Sequence, residues 1–440
     1  MGGAVLLPSA LMPGLPVLRR LLDAGHEAYF VGGAVRDHLL GRSVRDIDIA
    51  TSASAEETAQ LFARVKEISG KFKTAVAVVR GRIRYDILLF GKPSAGRSIL
   101  ECLDRFDFTI NCLAQTEDGT ILDPLGGRAD LAERRLTTVL HPDETFSNDA
   151  VRILRGLRFS HAFGLTIMSE TMESMRRCAA GLEAVSRERI RDEVLKLLGD
   201  CERPSAAFRR MHELGALPFV LPELEPCFGF PQNKHHEFDV AEHSLLMADL
   251  LPAGKPLLRW YALMHDLGKP ASCAGYGTPD ASFIGHEKVS EGLAQNAMSR
   301  LRFSGQDTAR VCKLVRNHMW QYRPEVTDAA LRRFIARLGL PLLEDFLAVK
   351  AADRRAKGKL GGGDEMDSPL RRRIDDLLRR SPVLGQKDLA VDGADVKAAL
   401  GLSEGPAVGQ ALKSLLALVL EDPSLNTREE LLRRLCRMRA

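Results

Sequence analysis

Three features that often reveal a protein's class are missing from this chain. Its eight cysteines include no C-x-x-C pair, which favours free thiols in a reducing compartment over disulfides or a cysteine zinc site. Its 62 basic residues nearly cancel 58 acidic ones, so the net charge of +4 does not indicate nucleic-acid binding, and any basic surface must be local. No stretch approaches the ~20 apolar residues that a membrane helix needs. Residues 4–18 are apolar but are interrupted by prolines and lack a basic leader. We therefore expect a cytoplasmic protein with no membrane partner.

The distribution of strand and helix signals divides the chain into an α/β part and an all-helical part. Up to about residue 139, short β-like runs alternate with helices, which is typical of an α/β unit. From Ser147 onward we expect only helices, the first with Ser147 as its N-cap and Gly164 at its end. The expected strands are 28–32, 45–51, 75–80, 82–90 and 120–123, with a hairpin turn at 80–82, and the later helices are 170–179, 187–198 and 205–214.

Proline and glycine clusters suggest the domain boundaries. Residues 218–231 contain four prolines, which is typical of a linker, and the glycines at 361–363 predict a loop. With 440 residues, about three domains are expected. The expected division is an α/β head over 1–140, a helical neck over 141–217, a linker over 218–237, a second all-helical domain over 238–358 and a helical tail over 359–440.

Two aspartates at alternate positions, Asp46 and Asp48, give the strongest chemical signal. On a strand they project from one face, while Ile47 and Ile49 point into a core. Adjacent acids that face solvent repel each other, and divalent cations relieve the repulsion. A metal pair ~3.5–4 Å apart can clamp both the attacking and the leaving oxygen of a phosphoryl centre. The pair therefore predicts a metal site for phosphoryl chemistry.

A glycine pair and an arginine precede the acids by a few residues. Gly32 and Gly33 let the backbone approach a ligand, and the helix that follows them presents its N-terminus, which favours anions. Arg36 can donate two hydrogen bonds to phosphate oxygens. We therefore expect metal and a triphosphate at the same place.

A third acid, Asp86, lies on a predicted strand and faces away from the apolar residues Tyr85 and Ile87. It joins the aspartate pair from a neighbouring strand, or it is simply the salt-bridge partner of Arg84. The sequence leaves both interpretations open.

An arginine stripe follows further along the chain. Asp149, Arg152, Arg155 and Arg158 recur every three residues, so they lie roughly along one side of a predicted helix. A plain surface helix can carry such a stripe. Apolar residues lie between the arginines on several sides of this helix, so no separate core-facing side is left. The arginines are then expected to point into a cleft.

In order, these motifs resemble those of the class II tRNA nucleotidyltransferase and poly(A) polymerase family, within the polymerase-β-like superfamily. The chain carries Gly-Gly-x-Val-Arg-Asp at 32–37, Asp-x-Asp at 46–48, Arg-x-Asp-Phe-Thr-x-Asn at 105–111 and Asp-x-x-Arg at 149–152. The match covers roughly residues 28 to 200, with 186–190 extending it. The resemblance implies a polymerase-β-like nucleotidyltransferase head followed by an all-α body.

The resemblance also implies a role for each matching residue. Asp46 and Asp48 would hold catalytic Mg²⁺, and Asp149 and Arg152 would read the base. A carboxylate accepts from the exocyclic amine of cytosine or adenine, and a guanidinium donates to the adjacent ring nitrogen. The remaining positions would surround the nucleotide: Gly33 and Arg36 at the triphosphate, Asp107 and Asn111 near the ribose, and Arg155 and Arg158 close to the incoming nucleotide.

The chain departs from the family pattern at three places. Asn148 replaces a glutamate before Asp149, so the orientation of Asp149 is expected to rely on an amide. Phe106 replaces an arginine, which removes a positive charge near the triphosphate. The segment between Phe90 and Arg105 is short, as in family members that add only two cytidines, and this favours CC addition over CCA addition.

A second constellation of metal-ligand residues lies in the helical part of the chain. Adjacent His265 and Asp266 between apolar turns place a carboxylate against a metal ligand, and further histidines and an aspartate occur on predicted helices. This pattern resembles an HD-type metal-dependent phosphohydrolase domain. By resemblance, His243, His265, Asp266 and Asp353 would bind one metal, and His286 and His318 a second, with Asp266 bridging. Imidazoles and carboxylates suit Mn, Ni, Fe or Zn equally.

Together these motifs predict template-independent addition of CMP, with AMP left open, to tRNA 3′ ends from CTP and ATP. The HD unit would hydrolyse 2′,3′-cyclic or terminal phosphates. The alternatives are a poly(A) polymerase that acts on other RNA, and a nucleotide-signalling enzyme that combines nucleotidyl transfer with HD hydrolysis. The basic runs at 187–191, 354–359 and 371–373 are candidate RNA-binding faces. The oligomeric state stays open.

Overall fold

The computed structural model describes residues 9–44, 46–62, 65–67, 75–80, 83–91, 98–358, 367–380 and 383–439. The chain forms two compact units, one made of Met1–Glu193 with Arg210–Val220 and the other of Val194–Arg209 with Leu221–Ala440. Some predicted features lie outside the described residues: Arg45, the turn at 81–82, residues 92–97 of the short segment and the loop at 359–366.

A seven-stranded mixed sheet forms the centre of the first unit, in the order β3-β4-β5-β2-β1-β6-β7. Only β2 and β5 run parallel among the named pairs of this sheet; the other neighbours are antiparallel. The strands are β1 (Ala28–Val31), β2 (Asp48–Thr51), β3 (Val65–Glu67), β4 (Ala75–Arg80), β5 (Ile83–Leu89), β6 (Ala114–Gln115) and β7 (Ile121–Leu122).

The five predicted strands are all present, four of them shorter at one or both ends than expected. One correction affects the site: β2 begins at Asp48 rather than at residue 45, so Asp46 lies just before the strand. Ile47 and Ile49 are buried, as the alternating pattern predicted. The expectation that strands end before Ser147 was wrong. A short parallel pair joins β8 (Arg135–Leu136) to β9 (Thr166–Ile167), and a two-residue strand is too short to leave a periodic signal.

Helices alternate with the strands along the chain and continue after β9. Ser147 is not an N-cap: it lies inside one helix, and a second helix starts after a break at Asp149 and Ala150. Gly164 ends that second helix in a left-handed conformation, as predicted. The helices are α1 (Leu15–Asp23), α2 (Gly33–Leu39), α3 (Ala55–Leu61), α4 (Ile99–Leu103), α5 (Gly127–Ala132), α6 (Pro142–Asn148), α7 (Val151–Phe163), α8 (Ser169–Cys178), α9 (Arg187–Asp200), α10 (Ser205–Glu213) and α11 (Leu217–Val220).

The second unit is helical throughout the named elements after Val220. Within the predicted linker, a 3₁₀ helix at Pro222–Cys227 buries Leu224 and Cys227, because apolar side chains pack inward between the prolines. The further helices are α12 (Val240–Leu250), α13 (Pro256–Met264), α14 (His286–Arg300), α15 (Gly305–Asn317), α16 (Asp328–Leu338), α17 (Leu343–Ala356), α18 (Asp367–Arg380), α19 (Gly393–Leu400), α20 (Pro406–Glu421) and α21 (Arg428–Arg439).

Two expectations from composition can be compared with the structure. All eight cysteines are free thiols, and five of them are buried. Among the described residues, no helix combines the length and apolar character needed to cross a membrane. The predicted order, an α/β head followed by an all-helical body, agrees with these elements.

Candidate active site and candidate metal centre

The acidic strand pair of the first unit is formed by β2 and β5. Asp48 and Asp86 are directly opposite each other in the parallel register, so their side chains leave the same face of the sheet. Arg84 Nε also lies 2.8 Å from Asp86 Oδ1. Both interpretations of Asp86 are therefore present at once: it neighbours the metal-site candidate and it pairs with Arg84. Asp46 is exposed and lies two residues before Asp48.

Gly32 brings the turn between β1 and α2 close to this acidic pair. Its φ of +69° belongs to the left-handed region, which favours glycine. A Cβ at this position would lie 3.0 Å from Phe106 Cε1 and 3.8 Å from Asp48 Oδ2. Phe106, which replaces the family's arginine, therefore packs over the turn. Gly33 is the first residue of α2, where no left-handed conformation is required.

Arg36 is buried and tied to its surroundings on several sides. Its guanidinium donates to Asp37 Oδ1 at 2.7 Å and to Asn111 Oδ1 at 2.5 Å. The ring of Phe163 lies 4.5 Å from the guanidinium carbon, which is the distance of a cation–π contact. Burial lowers the pKa of Arg36, although Asp37 opposes the shift. The guanidinium thus orients Asn111 and remains close to the end of the Gly32 turn.

Asp107 and Asn111 form one buried unit at the start of a 3₁₀ turn. Asn111 Nδ2 donates to Asp107 Oδ1 at 2.8 Å, and the backbone N–H of Phe108 donates to the same oxygen. Arg155 Nε lies 3.0 Å from the other oxygen, Oδ2, which is an ion-pair distance without the geometry of a hydrogen bond. The arrangement leaves Asp107 Oδ2 able to accept one further hydrogen bond.

Arg155 is close enough to four carboxylates of the first unit to be influenced by their charge. Burial alone would lower the pKa of its guanidinium, but four carboxylates outweigh burial and raise the pKa above its ordinary value. They are Asp107, Glu193, Asp149 and Asp48. One predicted metal residue, Asp48, one predicted ribose residue, Asp107, and the predicted base-reading acid, Asp149, therefore all lie near one arginine although they are far apart in sequence.

The arginines of α7 do not form a single solvent-exposed row. Arg152 donates to the backbone carbonyl of Arg105 at 3.1 Å, while Arg158 is buried and pairs with Glu193 at 2.5 Å. Asp149 is held from another helix: Arg189 donates to both of its carboxylate oxygens, at 3.1 and 2.5 Å. Sequence reasoning missed the roles of Arg189 and Glu193. Their spacing of four residues indicates one face of a helix, but the motif against which that face packs is visible only in the structure.

Two of the predicted RNA-binding runs have arginines engaged in ion pairs. Arg189 faces Asp149, as described above, and Arg191 pairs with its neighbour Asp192. In α18, Arg371 pairs with Glu344 at 2.6 Å. These contacts do not exclude RNA binding, which stays a prediction for these runs.

The second unit brings all six predicted HD residues together as two adjoining groups. His243, His265 and Asp353 offer ligand atoms within 4.8 Å of one another, and so do Asp266, His286 and His318. Among the described residues, these are the groups of three or more that could hold a metal ion. Asp46, Asp48 and Asp86, which all lie in the described part of the chain, do not form such a group of three.

Asp266 connects the two groups through its two carboxylate oxygens. Its Oδ2 lies 3.1 Å from His265 Nε2, and its Oδ1 lies 3.2 Å from His286 Nε2 and 3.5 Å from His318 Nε2. Burial raises the pKa of Asp266, but His265 and Lys269 outweigh burial and hold the pKa well below its ordinary range. An ionised Asp266 with one oxygen toward each group is the arrangement predicted for a bridging ligand.

Backbone carbonyls orient the histidine rings. His265 Nδ1 contacts Ala262 O at 2.8 Å, and the same contact recurs between His286 and Phe283 and between His318 and Val315. When Nδ1–H donates to a carbonyl, Nε2 carries the lone pair and points to the centre, as in metal-ligating histidines. His286 Nε2 and His318 Nε2 face each other at 3.0 Å, an approach of two such nitrogens that a shared cation would stabilise. The donor set fits a transition metal.

Two residues beside this centre were not predicted. Lys269 is buried, and its Nζ lies 2.6 Å from Asp266 Oδ2 and 2.6 Å from Gln232 Oε1. The ring centre of His236 lies 5.3 Å from that of His243, and burial together with Lys269 lowers the pKa of His236 to about 3. Lys269 could have been found from its place three residues after Asp266, whereas His236 fell in the predicted linker.

Three family models match successive parts of the chain. Residues 28–137 match the poly A polymerase head domain, residues 164–228 the probable RNA- and SrmB-binding site of polymerase A, and residues 234–358 the HD domain. The first and last of these define a nucleotidyltransferase joined to an HD unit.

Relatives over most of the chain give the family. The chain is 34% identical over 410 residues to the A-adding tRNA nucleotidyltransferase of Deinococcus radiodurans, which covers 88% of this chain and 90% of that protein. It is 40% identical over 204 residues to the CCA-adding enzyme of Streptococcus pyogenes, covering 44% of this chain and half of that protein. The chain belongs to the tRNA nucleotidyltransferase and poly(A) polymerase family, as its motifs predicted.

Solved structures show the same fold. The CCA-adding enzyme of Bacillus stearothermophilus in complex with CTP matches 98% of both chains with a TM-score of 0.72 and 26% identity. The CCA-adding enzyme of Thermotoga maritima complexed with tRNA matches with a TM-score of 0.55 and 18% identity, which supports the fold alone.

Proposed function

We propose that this protein adds nucleotides to the 3′ end of tRNA from CTP and ATP. The observation that carries the proposal is the acidic pair Asp48 and Asp86 beside the Gly32 turn, with Asp107 and Asp149 of the nucleotide motifs near the same arginine, Arg155. The names of the relatives, an A-adding and a CCA-adding enzyme, support tRNA as the acceptor. The reaction is attack of the RNA 3′-hydroxyl on the α-phosphate, with pyrophosphate leaving.

Different residues of the first unit would bind the metal and the triphosphate. Asp46, Asp48 and Asp86 would hold Mg²⁺, since carboxylate oxygens are the ligands it prefers. The bound Mg²⁺ would stabilise negative charge on the reacting phosphate. Gly32 and Gly33 leave room for the triphosphate beside the start of α2, and Arg36 holds Asn111 in place.

The nucleoside contacts involve two other carboxylates that influence Arg155, Asp107 and Asp149. Asp107 has an oxygen that is able to accept from a ribose hydroxyl, and Asn111 fixes its orientation. Asp149 accepts from the exocyclic amine of cytosine or adenine, and Arg152 donates to the ring nitrogen beside it. Uracil and guanine present a carbonyl where the carboxylate needs a donor, so they are rejected.

One experiment distinguishes the possible products. Three tRNA transcripts, ending at the discriminator base, after one added C and after CC, are incubated with CTP, with ATP or with both, and their 3′ ends are sequenced. The short 91–104 segment predicts products that stall after two cytidines. Extension of only the CC-ending transcript by ATP would make this an A-adding enzyme instead, and completion of all three would make it CCA-adding.

An acceptor without tRNA structure tests the proposal as a whole. An oligoadenylate of similar length carries the same reacting 3′-hydroxyl but not the shape of tRNA. We expect no extension of it under conditions in which tRNA is fully converted. Efficient addition of many adenylates to that RNA would replace the proposal with a general poly(A) polymerase.

We propose a second activity for the HD unit, hydrolysis of 2′,3′-cyclic or terminal phosphates on RNA. The convergence of four histidine Nε2 atoms on Asp266 and Asp353 supports it. A metal held there would supply an activated water. The test is hydrolytic opening of a 2′,3′-cyclic phosphate to a phosphomonoester on an RNA oligonucleotide, and release of inorganic phosphate from a 3′-phosphorylated one, by the wild type and by Asp266→Asn. Asp280→Asn, an exposed acid paired with Lys234, is the control. Equal rates in all three proteins would remove this activity from the HD site.

A further inference from the structure

Asp149 occupies a position at which the backbone gives its side chain little support. It lies between α6 and α7 in an extended conformation, with φ −159° and ψ 97°. A residue outside a helix has more freedom to rotate its side chain than one packed on a helical face. The residue expected to orient it, Asn148, is exposed. Something else must therefore fix the direction of a carboxylate that reads a base edge.

Arg189 provides that support. Its two terminal nitrogens donate to the two oxygens of Asp149 in parallel, at 3.1 and 2.5 Å. A two-point contact of this kind fixes the plane of the carboxylate as well as its charge. An ionised carboxylate offers about four lone-pair sites. The pairing with Arg189 uses two of them, and the others can accept from an exocyclic amine.

The helix that carries Arg189 is itself held against the motif. Glu193, one turn later on the same face of α9, is buried and pairs with Arg158 of α7 at 2.5 Å. The Arg189–Asp149 and Glu193–Arg158 contacts both join α9 to residues 149–158, the segment that contains the nucleotide motif. The Glu193–Arg158 pair therefore fixes the helix face from which Arg189 reaches Asp149. The Arg189 side chain itself is half-exposed.

We propose that Arg189 is a positioning residue for base selection, which acts through Asp149 and replaces the missing glutamate at position 148. This inference rests on the proposed function, because it assumes that Asp149 reads the base. It differs from the interpretation of Arg189 as part of a basic RNA-binding run. In that interpretation the arginine would contact phosphate and would not distinguish one nucleotide from another.

The test compares nucleotide selectivity in Arg189→Ala, Arg189→Lys and the control Arg176→Ala. Arg176 has a nearly identical exposed side-chain fraction, 53% against 52%, and pairs with Glu173 on its own helix. The measured quantity is the ratio of kcat/KM for CTP to that for UTP with tRNA as acceptor. We expect the ratio to fall at least about tenfold in Arg189→Ala, because losing a two-point contact typically reduces discrimination between bases by about this factor. Arg189→Lys should restore part of it, and Arg176→Ala should not change it.

A second background makes the test specific to Asp149. In Asp149→Ala, the further change Arg189→Ala should leave the CTP-to-UTP ratio where the single change had put it, because coupled residues are not additive. A higher KM for tRNA at an unchanged ratio would assign Arg189 to RNA binding and overturn the proposal. So would a lower melting temperature at an unchanged ratio, which is the signature of a purely structural contact.

Direct binding separates this inference from the proposed function. Dissociation constants for CTP and UTP are measured for the same variants by equilibrium dialysis without tRNA. If the wild type prefers CTP but does not extend tRNA, the proposed function fails while the binding ratio still decides the role of Arg189. If the wild type binds neither nucleotide, Asp149 reads no base and the proposal for Arg189 is wrong as well.

Discussion

Asp48 and Asp86 are register partners across the only parallel pair, β2 with β5, among the named strand pairs of the main sheet. The two carboxylates come from different parts of the chain and leave one face of the sheet side by side. Arg84 balances part of their charge through its contact with Asp86. This acidic pair, beside the Gly32 turn, is the physical basis for the proposed nucleotidyl-transfer site.

We predict that Asp48→Asn lowers kcat for CMP addition at least ~100-fold. A carboxylate that holds a metal contributes several kcal/mol to the transition state, and each ~1.4 kcal/mol is tenfold in rate. The measurement is single-turnover extension of a tRNA transcript with radiolabelled CTP. Asp23→Asn, an exposed acid at the end of α1, is the control and should react at the wild-type rate.

The role of Asp86 is decided by comparing Asp86→Asn with Arg84→Ala. If Asp86 belongs to the metal site, its variant loses most of its activity, whereas Arg84→Ala loses only an exposed ion pair, worth about 0–1 kcal/mol. The two variants are assayed for CMP addition at several Mg²⁺ concentrations. Equal and small effects in both would reduce Asp86 to a salt-bridge partner.

The neighbouring glycines should respond differently to alanine. Gly32→Ala forces a side chain into the left-handed region beside Phe106, and we expect a loss of about 1–2 kcal/mol in the free energy of unfolding. Gly33→Ala, at the first position of α2, should keep or raise that free energy while raising KM for CTP, because a methyl group narrows the approach of the triphosphate. Urea unfolding and steady-state kinetics check both. An unchanged KM in a stable Gly33→Ala protein would place the triphosphate elsewhere.

Metal binding at the HD centre should appear in both composition and stability. We expect the purified protein to contain a transition metal. In His286→Gln the affinity for that metal should fall by at least ~10–100-fold, which is the loss caused by removing a group that only supports a ligand. Chelation should lower the melting temperature of the wild type, because a ligand that binds only the folded state stabilises it. Elemental analysis and thermal unfolding measure these effects. His141→Gln, an exposed histidine of the first unit, is the control, and an identical metal content in both variants would contradict the assignment.

Asp345 should make stability depend on pH. Its buried carboxylate accepts from Lys255 at 2.9 Å and from Arg310. Burial raises the pKa of Asp345, but these two hydrogen bonds outweigh burial and bring the pKa below its ordinary value. Because folding lowers the pKa, the stabilisation is complete above the unfolded pKa of ~3.9 and is lost as the pH falls through the folded value.

We therefore predict that Asp345→Asn lowers the free energy of unfolding by about 1–3 kcal/mol near pH 7. The difference from the wild type should be the same near pH 5 and should shrink below about pH 4. Urea unfolding at each pH measures it. Asp375→Asn, which removes an exposed acid, should show little difference at any pH, and a constant difference for Asp345→Asn would contradict the assignment.

Local signals in the sequence were sufficient for much of the fold. Alternation of apolar residues predicted β2 and β5 with their inward isoleucines, because a strand repeats every second residue whatever surrounds it. The same local reasoning failed at Ser147. A serine before an apolar run is a common N-cap. Here, however, α6 continues through Ser147, and the helical conformation is interrupted only at Asp149.

The sequence by itself determined the family, the order of the matched domains and the residue types of both candidate sites, because motif identity and spacing are properties of the chain alone. Only the tertiary structure decided the partners of those residues. Sheet register put Asp86 beside Asp48, and helix packing brought Arg189 to Asp149, 40 residues away. Backbone carbonyls turned the histidine rings toward Asp266. These contacts depend on how distant segments pack against each other, and side chains without periodicity in the sequence leave no local trace of such packing.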